Sequence, residues 1–283
     1  MVEIKELEKK AWSIRKDIIR MIAAAGSGHP GGSLSAADIM TVLYFDEMNI
    51  DPAEPRKEDR DYFVLSKGHV CPALYAAMAR RGYFDPEELI TLRKLGSRLQ
   101  GHPGVNKGLP GLEASTGSLG QGLSIAGGMA MAFKLDGKAN RAYSILGDGE
   151  LEEGSIWEAA MSAAHYKLSN LCAIVDNNGL QIDGAVEDVM NINPLPEKWK
   201  AFGWNVIEID GHSVKEIKEA FAKARECKDA PSVIIAKTVK GKGVSFMENV
   251  AGWHGVAPNA EQEKAALTEL DEKEKQWESS SEK

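Results

Sequence analysis

The chain has 283 residues, 42 acidic against 34 basic side chains, a net charge of −8, 43% hydrophobic residues and three cysteines. That composition excludes a disordered chain and allows one large or two smaller domains with a sizeable core, while no long basic run and no membrane-length apolar stretch point to nucleic acid or a bilayer as partner. The N-terminus is charged from Glu3 onward, and Cys71, Cys172 and Cys227 are scattered without C-x-x-C spacing; a cytoplasmic location is therefore expected, with no disulfide framework and no zinc site.

Ile4, Leu7, Ala11, Ile14, Ile18 and Ile22 recur at steps of three and four, which predicts an amphipathic helix ended by Gly26 and Gly28. A second helix is expected over 35–48, broken by Asp51-Pro52-Ala53-Glu54-Pro55. A short strand follows at 62–65, then helices over 71–81 and 86–95, and a Gly/Pro-rich loop over 101–118 too long to be a mere connection. The Ala-, Gly- and Met-rich stretch 120–135 suits a helix in a buried position. From Arg141 the pattern becomes regular, with apolar runs at 142–146, 171–175, 204–209 and 232–236 and helical patterns at 155–166 and 214–224. Such alternation predicts an α/β fold, a doubly wound parallel sheet with helices on both faces and ligands beyond the carboxyl ends of its strands. One domain is expected over 1–258, followed by a charged helix fragment and frayed tail over 259–283.

Asp148 directly follows one apolar run, and Asn177 and Asn178 follow another. If those strands are neighbours, Asp148 and Asn178 share a crevice, and a carboxylate with an amide oxygen forms part of a shell for Mg²⁺, which phosphate oxygens and water complete. Gly147 and Gly149 give the backbone room to turn, and Gly154-Ser155 opens a helix whose N-terminus favours anions. Taken singly, Gly-Asp-Gly and Asn-Asn also read as ordinary turns. His29, His69, His102 and His254 lie in Gly- or Pro-flanked loops, where an imidazole is open to a ligand. His165 reads as a packing or surface residue and His212 as a turn or capping element; Lys67 and Lys240 read either as solvated charges or as partners of a phosphate. Trp157, Trp199, Trp204 and Trp253 read as core or interface aromatics.

Gly147-Asp148-Gly149 with Asn177-Asn178 resembles the thiamine-diphosphate motif. Together with Gly28-His29-Pro30-Gly31, Leu65-Ser66-Lys67-Gly68-His69, Gly101-His102-Pro103, Thr116-Gly117-Ser118-Leu119-Gly120-Gln121-Gly122, Asp210-Gly211-His212 and Trp253-His254-Gly255, it makes nearly the whole chain similar to the N-terminal, diphosphate-binding part of transketolases. The resemblance implies the thiamine-diphosphate-binding fold, with thiamine diphosphate and Mg²⁺ (or Ca²⁺ or Mn²⁺) as cofactors. It implies that Asp148, Asn178 and the Leu180 carbonyl hold the metal. His69 and Gly149 would contact the diphosphate with Lys240 and His254 nearby, Gly117 and Leu119 would lie along the cofactor, and Ile182 would pack on the thiazolium. His29, His102 and His254 would line a substrate funnel as catalytic groups, and Glu153 would link active sites across a subunit interface. One position departs from the pattern: Gly32 stands where several members carry a hydroxyl near the cofactor.

In this family a second domain holds the aminopyrimidine and supplies the glutamate that protonates it. Glu150, Glu152 and Glu153 all follow Asp148, at the wrong end of the cofactor for that task. The resemblance therefore implies one subunit of a split transketolase, inactive alone, which pairs with a C-terminal subunit carrying the pyrimidine-binding domain in an α2β2 assembly and moves a two-carbon ketol unit between sugar phosphates. The rivals are the α subunit of a 2-oxo-acid dehydrogenase and a non-catalytic cofactor-binding or regulatory subunit; the histidine set favours the transketolase.

Overall fold

The computed structural model describes residues 2–281. Helix α1 (Ile4–Ala25) buries Leu7, Ala11, Ile14, Ile18 and Ile22 as the periodicity predicts, though Ile4 in its first turn is exposed, and Gly26 closes it with φ 62° and an N–H on the Ala23 carbonyl. Among the described residues, strands β1 (Tyr62–Leu65), β2 (Ala142–Gly147), β3 (Leu171–Asn177), β6 (Asn205–Asp210) and β7 (Ser232–Lys237) form one sheet in the order β1-β2-β3-β7-β6. Every pairing in it is parallel. A two-residue hairpin, β4 (Leu180–Gln181) with β5 (Gly184–Ala185), hangs beyond β3 and leads into the short helix α7 (Val186–Val189).

The two faces can be read along single strands. Cys172 and Ile174 of β3 enter one core, with Tyr143, Ile145, Ile234 and the helices α1, α3 (Ala37–Val42), α4 (Cys71–Arg81) and α9 (Val214–Glu226). Leu171, Ala173 and Val175 enter the other, with Val233, Ile235, α5 (Gly122–Leu135), α6 (Gly154–His165) and α8 (Leu195–Ala201). A strand buried on both faces must be apolar throughout, which is why these segments read as continuous runs. The expected sheet covered on both faces is present.

Four expectations change. The helix expected over 35–48 starts earlier, as α2 (Pro30–Ser35) and then α3, and ends in a π-helical turn, Leu43–Glu47. Pro30 serves as a helix-starting residue, and Gly31 is there for close packing, since a Cβ on it would lie 2.9 Å from the Trp253 carbonyl oxygen. The stretch 86–95 is not an α-helix but a 3₁₀ segment, Pro86–Thr91, capped by the Asp85 carboxylate. Its pattern is too sparse for a helical stripe: Leu89 and Leu92 are buried, whereas Ile90 and Leu95 point to solvent. Helix α5 buries Leu123, Ala126, Ala130 and Phe133, but its opposite face is not covered within the chain, and a Cβ on Gly127 or Gly128 would meet open space. The charged C-terminal stretch is a full helix, α10 (Ala260–Ser281), that lies along α1 and adds Ala266 and Leu270 to the core; the last two positions of the expected tail lie outside the described residues. Charge had masked that apolar pair. Among the described residues, no helix is long and apolar enough to cross a membrane.

Candidate active site

The carboxyl ends of four strands converge on one cavity of about 270 Å³. From β1 the chain runs into Lys67 and His69, from β2 into Gly147, Asp148 and Gly149, from β3 into Asn178 and Leu180, and from β7 into Lys240; His29 precedes α2, and the long loop delivers His102, Gly117 and Leu119. Ile182 and His254 complete the wall. Of the residues assigned to cofactor, metal or substrate from the sequence, all line this cavity except Glu153, which is exposed at the start of α6. His165 is exposed, as expected.

Close backbone approach makes this assembly possible. A Cβ on Gly68 would lie 2.8 Å from the backbone of Thr116 and Gly117, so the loop after β1 and the long loop can touch only through a glycine. Gly117, at φ 141°, likewise leaves room for the His102 ring, 2.8 Å from where its Cβ would be.

At the floor, the Asp148 carboxylate accepts N–H bonds from Gly149 at 2.9 Å and Gly179 at 2.5 Å, which ties the end of β2 to the loop after β3. Burial, with the Asp176 carboxylate nearby, raises Asp148 to about 6. The Asn178 side-chain oxygen accepts from the Leu180 N–H at 3.1 Å, and Lys240 Nζ donates to the Leu180 carbonyl at 3.1 Å. Among the described residues no three His, Cys, Asp or Glu side chains converge as a self-sufficient metal site. The donor set here is one carboxylate, one amide oxygen and one carbonyl. It suits a hard cation that completes its shell with phosphate oxygens, and the buried, incompletely neutralised carboxylate calls for a positive charge.

Above the floor stand four imidazoles. The His29 ring lies 5.1 Å from His69, 5.4 Å from His254 and 6.3 Å from His102 between centroids. Burial and neighbouring positive charge lower His29 to about 4 and His254 to about 3, and lower His69 and His102 as well. The rings are therefore neutral at pH 7, each able to donate from one nitrogen and accept on the other. Because an ammonium only donates, the 3.0 Å contact from Lys240 Nζ to His254 Nδ1 puts the neutral ring's proton on Nε2. Burial and the charge of Lys67 bring Lys240 down to about 8.

These shifts fix a pH dependence of stability. An unfolded histidine titrates near its ordinary value of 6.5, so as pH falls from about 6.5 towards 4 the unfolded chain takes up protons that folded His29 and His254 refuse, and stability falls with acidification. Asp148, raised in the folded chain, opposes that slope between about 4 and 6, so the comparison is made against a variant. Thermal melts at pH 7 and pH 5 should show a smaller loss for His254→Gln than for the unaltered chain. An equal loss would show that His254 is not held neutral.

The sequence reading missed the framework beneath the site. Asp176, fully buried, accepts from Lys67 Nζ at 2.5 Å and Ser35 Oγ at 2.5 Å, and also from Thr238 Oγ1. Burial alone would raise it; the Lys67 ammonium and the two hydroxyls instead hold it below the usual carboxylate range. Lys67 is thus neither a solvated charge nor a free phosphate ligand but half of a buried pair. Glu150, set aside as lying at the wrong end, is buried and accepts from Ser66 Oγ, from Gly120 N at 2.9 Å and from Gly147 N at 3.0 Å, stitching three site loops together. For Asp176 the available signal was a carboxylate directly after an apolar run, which must find a partner; Glu150, in Gly-Asp-Gly-Glu-Leu-Glu-Glu, carries no such signal. His212 is more than a turn residue: Nε2 accepts from Val239 N at 2.9 Å, so Nδ1 carries the proton to Asp38 at 2.8 Å, and Asp38 also pairs with Arg15. Trp199 and Trp204 are buried in the core, as expected.

Residues 8–278 match the family described as transketolase, thiamine diphosphate binding domain. The chain belongs to that family. It is 43% identical over 272 residues to one of the named subunits of the apulose-4-phosphate transketolase of Phocaeicola vulgatus, with 96% of each chain covered. It is 46% identical over 266 residues to the 6-deoxy-6-sulfo-D-fructose transketolase subunit SqwG of Clostridium sp. MSTE9, covering 94% of this chain and 96% of that one. Against human transketolase it is 46% identical over 256 residues, but spans only 40% of the human chain. The crystal structure of Campylobacter jejuni transketolase superposes with a TM-score of 0.89 at 34% identity, covering 95% of this chain and 43% of that one. The family match agrees with the expected fold and with a thiamine diphosphate site.

Proposed function

We propose that this chain is the diphosphate-binding subunit of a two-chain transketolase that moves a two-carbon ketol unit from a ketose to an aldose. The observation that carries this reading is the convergence of Asp148, Asn178 and the Leu180 carbonyl on one cavity roofed by four neutral histidines. Asp148, Asn178 and Leu180 would hold Mg²⁺, or another hard cation such as Ca²⁺ or Mn²⁺. Gly149 and His69 would face the diphosphate with Lys240 beside them, Gly117 and Leu119 would lie along the cofactor, and Ile182 would cover the thiazolium. When bound, thiamine diphosphate supplies the electron sink for cleavage beside the substrate carbonyl. The chain's own residues bind and orient: His29, His102 and His254 can hold sugar hydroxyls and pass protons, since each neutral ring offers a donor and an acceptor. A 2-oxo acid has no hydroxyl chain to engage so many imidazoles, which favours a sugar substrate.

The names of the Phocaeicola and Clostridium relatives as subunits support a two-chain enzyme. The partner is then a C-terminal transketolase subunit with the pyrimidine-binding domain, in an α2β2 assembly, and Glu153 and the uncovered face of α5 lie outside the cavity, free to meet another chain. The test is reconstitution. This chain mixed with its partner, thiamine diphosphate and Mg²⁺ should transfer ketol units from a sugar phosphate, whereas neither chain should do so alone. Transfer by the purified single chain would overturn the split-subunit reading.

A further inference from the structure

A second cavity, of about 150 Å³, lies apart from the one described above and shares no lining residue with it. It opens between α1, the start of α9 and α10, against the buried pair of Arg15 and Asp38, each 5% exposed. The pair is only half used. Among the described residues, the Arg15 guanidinium donates from Nη2 alone, to Asp38 Oδ2, and the same oxygen takes the proton of His212 Nδ1 at 2.8 Å. Arg15 Nη1 and Asp38 Oδ1 have no partner there, yet neither atom is sealed from solvent, and both residues line the cavity. Burial would raise Asp38, but the Arg15 charge and the bonds it accepts bring it down to about 2, so the carboxylate is ionised at pH 7.

Beside the pair, Lys242 is half-buried and has no ion pair among the described residues, and the Glu8 carboxylate accepts the Trp277 Nε1–H at 3.1 Å. Apart from His212, two positive and two negative side chains therefore line one small space. A ligand with a single charge meets attraction and repulsion together. A ligand carrying both signs on neighbouring atoms is matched: its carboxylate can take the free donors of Arg15 and Lys242 while its ammonium reaches Asp38 Oδ1. Trp12, Trp277 and Val214 offer apolar surface to a short side chain, and the volume is far above the roughly 10–15 Å³ that a single water requires. We propose that this cavity binds a small zwitterion of the α-amino-acid class, its two charged ends held by Arg15 with Lys242 and by Asp38.

The test needs no catalysis and uses the full chain, titrated with glycine, L-alanine and L-valine; acetate and methylammonium carry the two charges separately. In two-dimensional NMR the indole N–H signals of Trp12 and Trp277, assigned through Trp12→Phe and Trp277→Phe, should shift saturably with at least one of the amino acids. Those of Trp199 and Trp204, which sit in the core on the other face of the sheet, should stay in place. Acetate and methylammonium should bind at least roughly tenfold more weakly than that amino acid, and Lys242→Gln should weaken it roughly tenfold, as expected for one lost charge-assisted hydrogen bond. Asp38→Asn removes the partner of the ammonium and should weaken binding further. Because that variant also strands Arg15, its thermal melt is followed in parallel, and Lys242→Gln decides the matter if it unfolds. No saturable shift with any of the three amino acids overturns the proposal. So does binding of acetate or methylammonium as tight as theirs, which would mark a site for a single charge, and so does an unchanged affinity in Lys242→Gln.

Discussion

Asp148→Ala is expected to abolish Mg²⁺-dependent binding of thiamine diphosphate, with an affinity loss of at least roughly a hundredfold. Removing groups that merely support metal ligands costs about 10–100-fold, and Asp148 is the only carboxylate in the proposed donor set. Asp148→Asn keeps the side-chain shape and one oxygen but removes the charge, and should fall between the two. Calorimetric titration of cofactor at fixed Mg²⁺, into each variant complex, reads the effect. The metal-free chain provides an internal control. Burial and the nearby Asp176 carboxylate already disfavour the Asp148 charge, so Asp148→Asn, which keeps an oxygen for one of the two N–H donors, should leave the thermal midpoint of that chain unchanged or higher, whereas Asp148→Ala also gives up the bonds from Gly149 and Gly179. Lost affinity with retained stability identifies a ligand; lost affinity with a collapsed fold would instead make Asp148 a structural residue. Unchanged affinity would rule out the metal assignment altogether.

Asp176→Asn should cost about 3–5 kcal/mol of folding stability, because it strands the Lys67 ammonium in a protein interior that had compensated it. The Lys67 side chain is only 3% exposed and that of Asp176 is fully covered, so water cannot take over the lost interaction. The asparagine keeps a single oxygen, so it can still accept from Ser35 or from Thr238 but not from both, and the deficit combines the lost charge with one displaced hydrogen bond. Denaturant unfolding of Asp176→Asn, Lys67→Met and the double variant forms the check. The double variant should be less destabilised than the two single losses added together; strict additivity would mean that the pair is not coupled.

Much of the candidate site was legible because its residues sit where strands end. Gly147-Asp148-Gly149 and Asn177-Asn178 follow apolar runs, and parallel sheets gather such ends in one place. The four loop histidines could be grouped by their Gly and Pro neighbours, and they do share one cavity. What stayed hidden depends on pairing between distant segments. Nothing local says that Asp176 meets Lys67, that Glu150 reaches back to Ser66 and Gly120, or that His212 bridges Val239 and Asp38. The stretch 86–95 misled because its apolar residues were counted without knowing which side faced the core. Helix α5 misled for a related reason: its composition describes a buried surface, but among the described residues one face of it is left uncovered.

The strand order also has a bearing on how the protein is made. Strand β6 joins the sheet only through β7, which is synthesised after it and is inserted between β6 and β3. While the ribosome is still adding residues 211–231, β6 has no neighbour to dock on, and β3 presents a bare edge of unpaired amides and carbonyls. The nascent polypeptide therefore passes through an adhesive stage that ends only when β7 emerges.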